Sequence, residues 1–194
     1  MVNRRIETGG ASGAFVLTPS VSFGTPIRDY NFRGEAALGR NLTEERIGID
    51  AGRRLDVISG NLSVEGGYSY AFVEKVMGIS TNRSNARVQT GYFITRKLLV
   101  RGEAYWQRTH GGLRFGSPAP AALQFPGEVT PELLDQHDRL LRDNYWHAGG
   151  GLAYSFPQFD VLATYIAFVG GTDTHAGRAL TISFVVPFRS GGSH

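Results

Sequence analysis

The chain has 194 residues, 26 of them glycine and none cysteine, with 20 basic side chains against 17 acidic ones. That length suits one domain, the absence of cysteine excludes a disulfide framework and a thiolate metal site, and no run of about 18 apolar residues offers a transmembrane helix. The pI of about 9.4 raises nucleic acid as a partner, but the arginines stand singly along alternating segments, so no nucleic-acid partner is expected.

Ten strands are expected in chain order, with ends uncertain by ~2–4 residues: 2–8, 13–24, 29–40, 45–55, 61–75, 83–95, 98–110, 144–156, 159–171 and 176–188. Each rests on a period of two. In 61–75, Leu62, Val64, Gly66, Tyr68, Tyr70 and Phe72 alternate with Ser63, Glu65, Gly67, Ser69 and Ala71. In 98–110, Leu98, Val100, Gly102, Ala104 and Trp106 alternate with Arg101, Glu103, Tyr105, Gln107 and Thr109. In 144–156, Trp146, Ala148, Gly150, Leu152, Tyr154 and Phe156 alternate with His147, Gly149, Gly151, Ala153 and Ser155. The last strand is the clearest: Leu180, Ile182, Phe184, Val186 and Phe188 are apolar, with Thr181 and Ser183 between them.

Connections alternate in length. Segments 25–28, 56–60, 96–97 and 157–158 are tight, whereas 76–82, 172–175 and above all 111–143 are longer. Membrane barrels have short periplasmic turns and longer outer loops, and ten strands would leave both ends of the barrel periplasmic. The second half of 111–143 reads as a helix, with Thr130 as N-cap, Pro131 in the first position, Glu132 in the first turn and Arg139 and Arg142 near the end. Leu133, Leu134, Leu140 and Leu141 form its apolar stripe.

Period alone leaves open which face points outward, since a soluble ligand-binding barrel has the same alternation inverted. Two features favour apolar-out. Aromatics form two bands, Trp106, Trp146, Tyr70 and Phe72 at the long-loop ends and Phe23, Tyr30, Tyr92, Phe156, Phe159 and Phe188 at the short-turn ends, as in an interfacial girdle. The polar face is rich in Gly, Ser and Ala and carries almost no lysine. The expected fold is therefore all-β: an up-and-down antiparallel transmembrane β-barrel of about ten strands, with eight or twelve as alternatives. It forms one domain over 1–188, with a long outer insert at 111–143. Met1-Val2-Asn3-Arg4 reads as a mature or trimmed start, residues 189–194 as a linker or tag remnant, and a longer parent barrel stays open.

The closing run Gly177 to Phe188, together with Gly149-Gly150-Gly151-Leu152-Ala153-Tyr154 through Gly170-Gly171-Thr172-Asp173, resembles the bacterial outer-membrane β-barrel proteins of the porin type. The likeness is to a class and its C-terminal sorting pattern. It departs from the class in that six residues follow the terminal aromatic. The resemblance implies a Gram-negative outer membrane, a bilayer with lipopolysaccharide as surroundings, and barrel-assembly machinery as a partner through strand 177–188.

The expected lumen face carries Arg33, Glu35, Arg46, Asp50, Glu65, Arg87, Arg101, Glu103 and Gln107, with Arg54 and Asp160. Such a set either selects solutes as charge rings or fills a narrow barrel as a ladder of ion pairs. His110, His137, His147 and His175 map to the long-loop half with Asp135, Asp138, Asp143 and Asp173. There His175, Asp173, His147 and His110 are candidates for acid–base chemistry. None has a recognised nucleophile or metal-ligand spacing, so neither a metal nor another cofactor is expected. The favoured function is a narrow porin-like transport channel for small solutes. The alternatives are an outer-membrane enzyme, protease- or lipid-hydrolase-like, with a rim His/Asp site, then a structural or adhesive barrel, and last a soluble ligand-binding barrel.

Overall fold

The computed structural model describes residues 2–3, 6–8, 15–27, 40–55, 62–114, 136–174 and 176–186, and over these the chain is one antiparallel sheet with almost no helix. The strands are β1 (Val2–Asn3), β2 (Ile6–Thr8), β3 (Phe15–Gly24), β4 (Glu44–Leu55), β5 (Leu62–Val73), β6 (Asn82–Phe93), β7 (Leu98–His110), β8 (Asn144–Ser155), β9 (Asp160–Thr172) and β10 (Arg178–Val185). Among the described residues one short helix, α1 (His137–Leu140), precedes β8. The strands from β3 to β10 pair in sequence order, up and down. Val2↔Val21, Ile6↔Leu17 and Thr8↔Phe15 share one register, so β1 and β2 form a single edge ladder along β3.

Three expectations change. β3 pairs directly with β4, Val21 opposite Ile47 and Gly24 opposite Glu44. No strand lies between them, and residues 28–39, which hold most of the expected strand 29–40, lie outside the described residues. With β3 directly beside β4 the parity changes: the edge ladder starts at the long-loop end while β10 finishes at the short-turn end. Phe23 moves for the same reason. It stands level with Glu45 and Phe72, at the long-loop end instead of the short-turn end. Finally, the sheet is open: among the described residues β10 pairs with β9 alone, and no ladder joins it to the opposite edge.

Strict alternation separates the two faces. Across β4 to β8 the row Asp50, Gly67, Arg87, Tyr105, His147 lies on one face, and the row Ile49, Tyr68, Ala86, Trp106, Trp146 on the other. The apolar face is the exposed one. Val21 is 62% exposed, Leu152 54% and Leu180 69%. Ser84 apart, the buried polar groups of the strands lie on the polar face, with Asn85, Gln107 and Thr109 all under one-tenth exposed. Between Trp146 and His147 the β8–β9 register shifts, so that Trp146 faces Gly170 and His147 faces Phe168. The extra residue, Val169, is a bulge.

The one apolar core cluster among the described residues lies at the long-loop end, not in the sheet. Val76, Leu113 and Leu140 pack together, with Leu42 and Ile79 against them. Leu140 reaches this cluster from α1, and Leu113 from the chain leaving β7. The two ends of the insert are zipped: Leu113 N donates to Leu140 O at 2.7 Å and Arg142 N to Leu113 O at 2.8 Å. The turn that allows this uses Gly111 and Gly112 at φ +84 and +83. A Cβ there would collide with the carbonyls of Ser80 and Leu140, and the left-handed conformation already favours glycine. Of the helix expected over 130–142, Thr130, Pro131, Glu132, Leu133 and Leu134 lie outside the described residues.

Candidate functional site

The charged residues read from the sequence as one set do share one face. Arg46, Asp50, Glu65, Arg87, Arg101, Glu103 and Gln107 all fall on the polar face. Arg33 and Glu35 lie outside the described residues. The charges pair both across strands and along a single strand. Arg87 bridges Asp50 and Glu65 at 3.0 Å each, Glu44 accepts from Arg46 at 2.9 Å and also from Arg83, and Arg101 lies 3.9 Å from Glu103. Most of these side chains are part-exposed, where each such pair adds only about 0–1 kcal/mol. Their main effect is charge balance. Arg54, nearer the short turns, sits over the Phe93 ring at 5.6 Å.

Small side chains open this face in its middle. Ser20, Ser22, Gly48, Gly67 and Ser69 leave a trough of about 480 Å³, bordered by Arg46, Asp50, Asn85, Arg87 and Tyr105. A second hollow of about 190 Å³ continues past Arg87 and Tyr105 to Gln89, Glu103, His147 and Ile166. An aromatic row runs alongside: Tyr105 to Tyr145 at 6.2 Å, Tyr145 to His147 at 4.9 Å and His147 to Phe168 at 6.0 Å.

At the long-loop end, Asp143 closes the polar face. Its buried carboxylate accepts from Arg40 Nη2 at 2.7 Å, from Gln107 Nε2 at 3.1 Å and from Thr109 Oγ1. Arg40 Nη1 donates to Leu141 O at 3.1 Å. Burial pushes the Arg40 guanidinium below its ordinary value, and the Asp143 carboxylate is the largest opposing influence. Arg139 adds a second tie, donating to Asn41 O at 2.8 Å and reaching Glu74 at 3.3 Å. The insert is thus latched to the segment before β4 and to the end of β5.

Of the rim histidines, His110 and His147 do not share a site. His147 opposes Tyr105 and so lies on the polar face. His110 is five residues beyond Tyr105 on β7, and an odd offset places it on the other face. There it stacks on Tyr70 at 5.7 Å, and its Nε2 lies 2.7 Å from Ser84 Oγ. The Tyr68 hydroxyl is 2.8 Å from the same Ser84 oxygen, and Ser84 is buried. Asp173 sits in the turn after β9 at φ +54, and His175 lies outside the described residues. Among the described residues no group of three His, Asp or Glu side chains could hold a metal ion.

The aromatic set lies mainly on the exposed face. Trp106 and Trp146 pack at 6.2 Å and Tyr70 with Phe72 at 5.0 Å near the long loops. Tyr154, Phe156, Phe159 and Phe184 form a chain at the short-turn end, with spacings from 4.7 to 6.3 Å, and Tyr92 pairs with Leu62 and Val100 at that end. Phe188 lies outside the described residues.

Sequence reasoning missed Arg40, Asn85 and Ser84 as partners. Arg40 and Asp143 are 103 residues apart, so no local spacing links them. Ser84 and Asn85 sit in a run, Asn82-Arg83-Ser84-Asn85, whose polarity hides that adjacent residues serve opposite faces. No family model, curated protein or solved structure matches the chain.

Proposed function

We propose that the chain is an integral protein of a bacterial outer membrane, a β-barrel acting as a narrow porin-like channel for small solutes. The supporting observation is the reversed polarity of the sheet: large apolar side chains are exposed along one face, while the other face carries the charged residues and the buried Asn85, Gln107 and Thr109. In water a contiguous apolar face of this extent would drive association. In a bilayer it is the surface that lipid requires. Strands of 8–13 residues from β3 to β10 suit a tilted membrane strand of about 9–11 residues.

In this reading β10 and the opposite edge meet in the membrane, because unpaired backbone groups at a lipid-exposed edge would each cost several kcal/mol. The surrounding partners are phospholipid and lipopolysaccharide, with the assembly machinery engaging β10. The polar face becomes the lumen, solutes cross by passive diffusion, and the latched insert narrows the outer mouth. No cofactor is needed. The test is single-channel recording of detergent-refolded protein in a planar bilayer. Discrete, salt-dependent steps are expected, and Arg101→Glu should shift the ion preference toward cations. Silence from protein that has inserted as a folded barrel overturns the channel.

One observation favours a second reading, an enzyme of the outer rim. Ser84 and His110 have nucleophile–base geometry at 2.7 Å on the face that would meet lipid. That reading predicts fluorophosphonate labelling that Ser84→Ala and His110→Ala both abolish. Absence of label from the folded protein leaves the pair as part of a hydrogen-bond chain ending at Tyr68.

A further inference from the structure

The trough on the polar face has an unanswered hydrogen-bonding demand. Asn85 is 3% exposed; its Oδ1 accepts from the Tyr105 hydroxyl, while its Nδ2 has no protein partner. Arg46 Nε, on the opposite border of the same trough, is likewise buried without a partner. Buried donors left unmade are costly, about 1–3 kcal/mol each, so oxygen acceptors belong in this space. Its volume of about 480 Å³ falls within the ~300–1,000 Å³ of small-molecule sites.

The charge pattern decides which acceptors. The guanidinium of Arg87 is shared by Asp50 and Glu65, and that of Arg46 is held by Glu44. With Arg83, which shares Glu44, three guanidiniums face three carboxylates, so the border is neutral as a whole and an added anion would meet Asp50 with no net positive charge to offset it. A neutral solute with several hydroxyls meets no such penalty. Its oxygens can accept from Asn85 Nδ2 and Arg46 Nε. Its hydroxyls can donate to Asp50, and the Ser20, Ser22 and Ser69 side chains can serve either role. The Tyr105 ring gives a flat wall for the C–H face of a sugar ring.

We propose that this trough is a binding subsite for a neutral polyhydroxylated solute of monosaccharide size. The assignment rests on the channel reading in taking the polar face as the solute path, but binding can be measured without conduction. The experiment is saturation-transfer-difference NMR on refolded protein in detergent micelles, with D-glucose and sodium acetate as separate probes.

Glucose protons are expected to receive saturation and the acetate methyl group is not. Asn85→Leu, which removes the donor, and Ser20→Leu, which fills the trough from β3, should each abolish the glucose signal. Circular dichroism of the variants serves as the fold control. A glucose signal that survives in both folded variants overturns the proposal, as does saturation of acetate in place of glucose. Conduction with no glucose signal overturns this assignment and leaves the channel standing. A variant-sensitive glucose signal from protein silent in the bilayer supports the subsite and overturns the channel.

Discussion

Asp143→Ala should destabilise the protein by about 3–5 kcal/mol, the range for removing one partner of a buried ion pair. The reason is what it leaves behind. Arg40 stays largely buried with its carboxylate gone, and the Gln107 amide and Thr109 hydroxyl lose their acceptor as well. The double variant Arg40→Met/Asp143→Leu should lose less than Asp143→Ala, because no unpaired charge remains. Urea titration of refolded protein, followed through Trp106 and Trp146, measures both. A loss below ~1 kcal/mol for Asp143→Ala, the level of an exposed pair, would mean that the latch is not formed. In the proposed channel the same substitution frees the insert, so recorded currents should grow larger and noisier.

The second large effect is expected at Gly149. A Cβ at this position would collide with the Tyr165 carbonyl and stand 2.8 Å from Ile166 Cα. Backbone cannot rotate out of the way as a side chain can, so β8 and β9 would have to separate. Gly149→Val should therefore reach or pass the upper end of the ~1–3 kcal/mol usual for overpacking. Gly170, also in the β8–β9 pair, is the internal control, since nothing lies within 4 Å of a Cβ built there. Gly170→Ala should be neutral or stabilising by up to ~0.5–1 kcal/mol, as expected when a strand glycine gains a side chain. Equal losses at both positions would remove the packing argument.

These two predictions differ in how far the sequence foretold them. The run Gly149-Gly150-Gly151 falls mid-strand, where glycine marks close strand approach, and that reading needs no partner identified in advance. The latch needs a partner from the other half of the chain. Asp143 stood out only as one of several acids near the long insert, and Arg40 closed an expected strand. Nothing in either neighbourhood points to the other.

The sequence by itself determined the strands from β3 to β10 to within a few residues, and which side chains share a face. Both follow from a backbone period of two, which is a local property readable in any short window. It placed Arg46, Asp50, Glu65, Arg87, Arg101, Glu103 and Gln107 together for that reason. The expected up-and-down order is observed from β4 to β10, and only the tertiary structure decided that β3 is the neighbour of β4. The segment 29–40 has a plausible strand pattern, yet both hydrogen-bonding edges of β3 are taken, one by the edge ladder and one by β4. Pairing depends on hydrogen bonds between distant segments, which alternation does not encode. The same holds at the rim, where inter-strand register put His110 and His147 on opposite faces, and where the Arg40–Asp143 contact joins residues 103 apart.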